Sequence, residues 1–255
     1  EFNKVLKIGR THLQDATPIT LGQEFSGYQS IIKNSLNQIN QTKKLLSSLA
    51  QGGTAVGTGI NTHKDFGVLV AKEISKFTKI KFVKTKNHFE AQSSQNQAVA
   101  FSGSLKTLAI GLNKIANDIR WLGSGPRSGF GELTIPPVQP GSSIMPGKVN
   151  PTQCEAVTMV CAQVIGNHYG ITIAGSHGHF ELNVFKPMIA HNILQSIDLI
   201  SDSTKTGILE QIIDIYEEVS YLNKLETTEH KFSTSIKNVT IKATIDALFM
   251  FLFYA

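Results

Sequence analysis

Three polar stretches of this 255-residue chain concentrate side chains that could do chemistry. The first, GRTHLQDATPITLGQ, begins at residue 9 and places Thr11 beside His12 just before a predicted helix. Because a histidine titrates near neutral pH, His12 could act as a general base or donate a hydrogen bond to a substrate. The alternative for this stretch alone is a structural loop with one solvated histidine.

The stretch PGSSIMPGKVNPTQCE, residues 140–155, is the densest in reactive groups. Ser142 offers a hydroxyl, Lys148 a cation, Asn150 an amide and Glu155 a carboxylate. Its glycines and prolines predict a shaped loop, and Pro151 opens the following helix. A lysine and loop N–H groups would together receive an anionic substrate. We therefore favour a functional loop here over a solvated linker.

The third stretch and a pair of histidines have simpler explanations. The stretch QGGTAVGTGIN, residues 51–61, holds four glycines, but it has neither the lysine of a phosphate loop nor a preceding strand. On its own it predicts a turn between helices. His177, His179 and Glu181 resemble metal ligands, but no further ligand has a suitable spacing, and we predict no metal site.

Composition excludes several classes of protein. Lysine and arginine number 24 against 19 acidic residues, a formal charge of +5 that is spread along the chain, which argues against a nucleic-acid partner. No apolar run is long enough to span a membrane, and the Phe-rich end lacks a basic face, so we predict no membrane partner. Cys154 and Cys161 lie two helical turns apart, too far for a disulfide.

Apolar residues at intervals of three and four predict long helices that must position these groups. The helices are expected at 25–39, 101–122, about 153–173, after Pro187, and at 208–222. The opening EFNKVLKIG is also helix-like, and KIKFVK at 79–84 is a weak, isolated strand signal. The fold class is therefore all-α, a bundle of long helices. Such apolar seams favour association with further helices.

Several separated blocks of the chain closely resemble the aspartase/fumarase superfamily. GSSIMPGKVNP resembles the signature of the superfamily, and the blocks KIGRTHLQDATPITLGQEFSGY, GGTAVGTGIN and IANDIRWLGSGPRSGFGEL, continued by GHFELNVFKPMI, are similar to class II fumarate hydratase. Aspartate ammonia-lyase is similar throughout but has glutamine where His12 stands. The resemblance implies that residues 1–203 are the superfamily's central helical domain, incomplete at the N-terminus, followed by an unmatched tail, 204–255.

The resemblance also implies an activity, the reversible hydration of fumarate to (S)-malate without a metal or an organic cofactor. Ser142 would remove the C3 proton of malate, and His12, hydrogen-bonded to Glu155, would act at the hydroxyl end. Lys148 and Asn150 would bind a substrate carboxylate, with Thr11 beside His12. The family forms homotetramers in the cytoplasm or the mitochondrial matrix, and three subunits build each active site.

Two departures from the family pattern leave other functions open. The Ser-Ser-Asn motif of intact members does not occur in this sequence, and residues 204–255 lack the family's Gly-Tyr-Asp stretch and Ala-His pair. One alternative is a catalytically inactive chain that associates only through its helices. A second alternative is an aspartate ammonia-lyase.

Overall fold

The computed structural model describes residues 2–137, 141 and 144–204, and α-helices make up most of them. The six helices of these residues are α1 (Leu21–Lys43), α2 (Phe66–Thr78), α3 (His88–Ser93), α4 (Asn96–Leu122), α5 (Thr152–Ser176) and α6 (Lys186–Ser203). The four strands are β1 (Leu6–Thr11), β2 (Gln14–Thr20), β3 (Ser48–Leu49) and β4 (Val83–Lys84). β1 pairs with β2 in antiparallel fashion, and β3 pairs with β4 in parallel.

The predicted all-α class is confirmed, with two small two-stranded sheets added to it. The helices expected at 25–39, 101–122, 153–173 and after Pro187 are α1, α4, α5 and α6. The helix expected at 208–222 lies outside the described residues. The weak strand signal at 79–84 corresponds to the two residues of β4, and α2 and α3 were not predicted.

The expectation of a helix at the start of the chain is wrong. Phe2–Lys4 form a single 3₁₀ turn, and β1 begins at Leu6. The polar stretch from residue 9 is consequently a β-hairpin that ends where α1 begins, not a loop. A hairpin forms in spite of the helix-like pattern because side chains of β1 pair with residues outside the hairpin: Lys7 with Glu24 and Glu132, and Arg10 with Glu132.

The chain divides into two compact units. One contains the residues up to 35 and residues 110–159, and the other contains residues 36–109 and 160–202. In the first unit, an apolar cluster joins Phe2, Leu21, Leu122 and Leu133. In the second, the core includes the fully buried Phe101, Ile171 and Ile189. The described site residues Thr11, His12, Lys148, Asn150 and Glu155 all belong to the first unit.

Two sequence predictions concern membranes and cysteines. Within the part of the chain that the structure describes, every helix is too short or too polar to cross a bilayer. Cys154 and Cys161 are both buried on α5.

Candidate active site

The hairpin of β1 and β2 carries Thr11 and His12 at its exposed tip. Thr11 is the last residue of β1, and His12 and Leu13 form the two-residue turn. Both turn residues have left-handed backbones, with φ of 58° and 59°, which turns of this kind require at both positions. That conformation is costly for residues other than glycine, so the tip places His12 in solvent at some expense of backbone energy.

The two strands of the hairpin do not pair regularly along their length. Ile8 lies opposite Pro18 and Arg10 lies opposite Asp15, so an extra residue of β2 bulges opposite Gly9. A Cβ atom on Gly9 would lie 2.9 Å from the carbonyl oxygen of Thr17. Glycine at this position therefore allows the close approach of the bulged strand.

A reciprocal pair of hydrogen bonds fixes the junction between the hairpin and α1. The Thr20 N–H donates to Gln23 Oε1 at 2.9 Å, and the Gln23 N–H donates to Thr20 Oγ1 at 3.1 Å. This is a capping box, which satisfies two backbone donors at the helix start. It sets where α1 begins relative to the hairpin.

Four charged side chains form a cluster along the hairpin, which we call the Glu132 cluster: Lys7, Arg10, Glu24 and Glu132. Arg10 pairs with Glu132, and Lys7 Nζ lies 2.9 Å from Glu24 Oε2 and 3.4 Å from Glu132 Oε2. The Arg10 guanidinium also lies 4.4 Å from the centre of the Phe130 ring. The cluster therefore links the hairpin to α1 and to the segment that follows α4.

The pKa values of Glu132 and Arg10 shift as expected for an ion pair that forms inside the fold. Burial alone would raise the pKa of Glu132, but the hydrogen bond from Arg10 and the charge of Lys7 together lower it. The same hydrogen bond raises the pKa of Arg10. Each group thus stabilises the charged form of the other.

Two of the predicted substrate-binding residues, Lys148 and Asn150, lie in an exposed segment before α5. Lys148 and Asn150 are both exposed, and the Lys148 N–H donates to the Met145 carbonyl at 3.2 Å. A Cβ atom on Gly141 would lie 2.6 Å from the Lys148 carbonyl, so the loop closes back on itself at this point. Ser142, the predicted proton acceptor, lies outside the described residues.

Glu155 lies in the first turn of α5, where its carboxylate faces Arg120. Arg120 Nη2 is 3.7 Å from Glu155 Oε1, and Arg120 Nη1 donates to Asn117 Oδ1 at 3.1 Å. Sequence reasoning did not predict a role for Arg120. The only signal for it was that Arg120 lies in the block IANDIRWLGSGPRSGFGEL, which resembles class II fumarate hydratase. Burial raises the pKa of the neighbouring Cys154 to about 11, so that thiol is not a reactive group at neutral pH.

The single chain does not join His12 to Glu155. Among the described residues, Glu155 pairs with Arg120, and no hydrogen bond or ion pair connects it to His12. The resemblance assigns these two residues to one site, and it builds that site from three subunits. The pairing of His12 with Glu155 therefore stays a prediction for an assembly.

The glycine-rich stretch 51–61, in the second compact unit, is a folded loop rather than a simple turn. The Gly53 carbonyl accepts hydrogen bonds from the N–H groups of Gly57 and Gly59, both at 3.0 Å. From α3, Gln92 Nε2 donates to the Thr54 carbonyl at 2.8 Å, and His88 Nε2 lies 3.1 Å from the Gln51 carbonyl. Sequence reasoning missed both α3 residues, because a six-residue helix gives little periodic signal.

The metal-like residues His177 and His179 lie on an exposed turn after α5. Their ring centres are 6.2 Å apart, and His179 forms a β-bridge with Leu182. Over residues 2–137, 141 and 144–204, no three His, Cys, Asp or Glu side chains form a group that could hold a metal ion.

The helical fold and the polar segments around His12 and Lys148 occur together in one family of proteins. A family model described as lyase matches residues 1–166, and the chain belongs to that family. Within it, the chain is 56% identical over 225 residues to the class II fumarate hydratase of Rickettsia bellii. It is 57% identical over 225 residues to the mitochondrial fumarate hydratase of Dictyostelium discoideum.

These similarities cover most of this chain but only part of each relative. The alignments span 88% of the chain, and they span 49% and 46% of the two relatives, so the chain spans about half the length of the curated relatives it matches. Among solved structures, the class II fumarase from Schistosoma mansoni aligns with a TM-score of 0.79 and 38% identity, over 92% of this chain and 55% of that one. The expected similarity to class II fumarase is confirmed.

Proposed function

We propose that this chain contributes to a fumarate hydratase, which adds water reversibly to fumarate to give (S)-malate. Its identity of 55–57% over 225 residues to fumarate hydratases of Rickettsia and Dictyostelium carries the proposal. The tail 204–255 aside, residues 1–203 would be the central helical domain of that enzyme. The compartment would be the cytoplasm or the mitochondrial matrix, in keeping with relatives named as mitochondrial.

His12 and Glu155 would handle the hydroxyl end of malate. The exposed hairpin tip leaves the His12 imidazole accessible to a substrate and to another subunit. In an assembly, Glu155 would accept a hydrogen bond from His12 and fix the orientation of its ring. Thr11, which precedes His12 on the same exposed tip, would bind substrate beside it.

Ser142, Lys148 and Asn150 would act at the other end of the substrate. Removal of the C3 proton by Ser142 leaves negative charge on the adjacent carboxylate, which becomes an aci-carboxylate. Lys148 and Asn150, both exposed before α5, would stabilise that charge with a cation and an amide donor. No step of this mechanism requires a metal or an organic cofactor.

We propose a homotetramer for the intact enzyme, because α5 presents apolar and small residues to solvent along one face. In the second compact unit, Ala162, Gly166, Tyr169 and Ile173 recur every three or four residues and are all exposed. Tyr169 is 66% exposed and Ile173 is 60% exposed. The opposite face of the helix is buried, so α5 is apolar on two sides, as expected for a helix packed in an assembly.

The test follows the ultraviolet absorbance of fumarate in the presence of the purified 255-residue chain. We expect turnover that is abolished in Ser142→Ala and retained in Ser30→Ala, which removes an exposed hydroxyl from α1. Ammonia release from aspartate, measured in parallel, would favour the ammonia-lyase alternative. A folded chain without turnover on either substrate would contradict the proposed enzyme and favour an inactive chain.

The assembly is tested separately by sedimentation equilibrium. We expect a mass near four times 27.8 kDa for the wild-type chain. Tyr169→Glu, in the middle of the exposed face of α5, should reduce the mass toward that of a monomer. A wild-type chain that sediments as a monomer would contradict the tetramer.

A further inference from the structure

The hairpin that carries Thr11 and His12 needs support beyond its own strand pairing. A two-stranded hairpin is marginally stable in water by itself, and the left-handed backbone at His12 and Leu13 weakens it further. At its base, Phe2 and Leu21 belong to an apolar cluster, and the Leu21 N–H donates to the Val5 carbonyl at 2.9 Å. These contacts hold the base and leave the outer half of the hairpin to other interactions.

The outer half is held by Glu132, a residue distant in sequence. Arg10, two residues before His12, pairs with the Glu132 carboxylate, and Lys7 lies 3.4 Å from its Oε2 atom. The Lys7 side chain is only 8% exposed and that of Arg10 is 18% exposed. Ion pairs that are this well shielded from water are screened far less than surface pairs.

Glu132 is itself anchored to the end of α4. The N–H groups of Glu132 and Leu133 both donate to the Leu122 carbonyl, at 2.8 and 3.1 Å. The Leu133 side chain is buried in the apolar cluster with Leu122. The carboxylate that holds the hairpin is therefore attached to a fixed part of the first compact unit.

Apolar surroundings strengthen the ion pair between Lys7 and Glu132. Lys7 and Glu132 line a cavity of about 190 Å³, and its other walls are the apolar residues Val5, Leu6, Leu21, Leu122 and Leu133. Apolar walls lower the local dielectric, which increases the attraction between the opposite charges and the cost of losing one of them. Among the described residues, removing the Glu132 carboxylate would leave Arg10 with only the exposed Asp15 and Lys7 with only Glu24 as acidic partners.

From these contacts we infer that Glu132 is a positioning residue for the catalytic hairpin: its pairs with Arg10 and Lys7 fix the strand that presents Thr11 and His12. The consequence for catalysis rests on the proposed function, whereas the effect on the hairpin does not. Glu132 touches no substrate in this scheme. It acts through Arg10, whose guanidinium also packs 4.4 Å from the centre of the Phe130 ring.

Hydrogen exchange on the full chain, followed by mass spectrometry, tests the effect on the hairpin. In Glu132→Gln we expect amides in peptides covering residues 6–20 to exchange at least tenfold faster, with exchange in α6 unchanged. Asp15→Asn is the matched control, because Asp15 also approaches Arg10, at 3.5 Å, but belongs to the hairpin itself. Its exchange should stay within twofold of wild type.

A second variant and a kinetic measurement complete the test. If Glu132→Gln does not fold, Arg10→Gln breaks the same pair from the hairpin side and should give the same local increase in exchange. In a chain that hydrates fumarate, Glu132→Gln should lower kcat at least tenfold and change KM by a smaller factor, because Lys148 and Asn150 are untouched and Thr11 alone of the substrate-binding residues lies on the hairpin.

Three results would overturn the inference. They are unchanged exchange in residues 6–20, an equal increase throughout the chain, or a kcat that is unaffected by Glu132→Gln. If the wild-type chain has no turnover, the proposed function fails, while the exchange of the hairpin still decides whether Glu132 positions it.

Discussion

Arg120 Nη2 lies 3.7 Å from Oε1 of Glu155, so the last turn of α4 faces the first turn of α5 through a pair of opposite charges. The two side chains are 36% and 43% exposed, and water screens them. Such a pair contributes about 1 kcal/mol or less to stability. Glu155 is therefore held loosely in the single chain, and its carboxylate would be available to another partner in the proposed homotetramer.

We expect Glu155→Gln to separate activity from stability. The free energy of unfolding should fall by less than about 1 kcal/mol, whereas fumarate hydration should fall by about 10²–10⁴-fold, the usual contribution of an acid or base. Urea unfolding and the absorbance of fumarate measure the two effects. Glu181→Gln, an exposed glutamate outside the site, is the control and should change neither. A large loss of stability, or full turnover, would contradict the assignment.

The glycine loop at 51–61 should tolerate no side chain at Gly57. Its φ is +101°, and a Cβ atom would lie 2.8 Å from Phe89 Cδ1. We expect Gly57→Ala to lower the free energy of unfolding by about 1–3 kcal/mol. Gly27→Ala is the matched substitution, at an exposed helical position with no atom within 4 Å of the new Cβ. It should raise stability by about 0.5–1 kcal/mol. If Gly57→Ala and Gly27→Ala changed the thermal stability equally, the positive φ of Gly57 and its contact with Phe89 would not explain the need for glycine there.

The contact between α1 and α4 in the first unit depends on Tyr28. Its hydroxyl donates to Asp118 Oδ2 at 2.9 Å, and burial followed by the charge of Asp118 raises the pKa of Tyr28, which keeps the donor proton in place. Tyr28→Phe should cost about 1–2 kcal/mol in urea unfolding. Lys114 pairs with the same carboxylate from an exposed position, and Lys114→Gln should cost less than half as much. A larger loss of stability in Lys114→Gln than in Tyr28→Phe would show that the exposed pair of Lys114 with Asp118 contributes more than the hydrogen bond from Tyr28.

His168 should make stability depend on pH. It is buried, its Nδ1 lies 3.1 Å from Ser102 Oγ, and burial followed by the charge of Lys106, on α4, lowers its pKa. His168 therefore binds a proton more readily in the unfolded chain than in the folded chain. The stabilisation that neutral His168 gives the folded chain is complete above about pH 6.5, and it is lost as the pH falls through the pKa of His168 in the folded chain. Between pH 7.5 and 5.5 the urea midpoint should fall less in His168→Gln than in wild type. The exposed His191→Gln should behave as wild type.

The long helices were predictable because their apolar residues repeat at intervals that α-helices dictate. The seam of α4 from Phe101 to Leu122 is buried as the pattern requires, with Ile115 and Ile119 at 2% and 0% exposure. α2 carries a similar signal, in which Gly67, Ala71 and Ile74 are buried, but small residues make it weak. Local periodicity is sufficient where one helix face is broad and apolar.

The hairpin was not predictable by the same reasoning. Its turn is His12-Leu13, whereas such turns usually contain Asn or Gly, and β2 includes Pro18 and exposed polar residues. What favours the strands is the contact with Glu132, about 120 residues away in sequence. Likewise, the pairing of Arg120 with Glu155 arises from the packing of two helix ends. Contacts of this kind leave no periodic trace in the chain.

The extra residue of β2 opposite Gly9 also makes the number of residues in the hairpin important. Lys7 and Arg10 are separated by an odd number of positions, and a regular strand would direct them to opposite faces. The irregular register lies between them, and both side chains reach Glu132. Deleting Ala16 or Thr17 from β2 would remove the irregular register and the local twist that accompanies a bulge, and we expect Lys7 and Arg10 then no longer to share Glu132. We therefore expect hairpins of this type to vary in residue identity far more readily than in length, because a change by one residue alters the register on which the charge contacts depend.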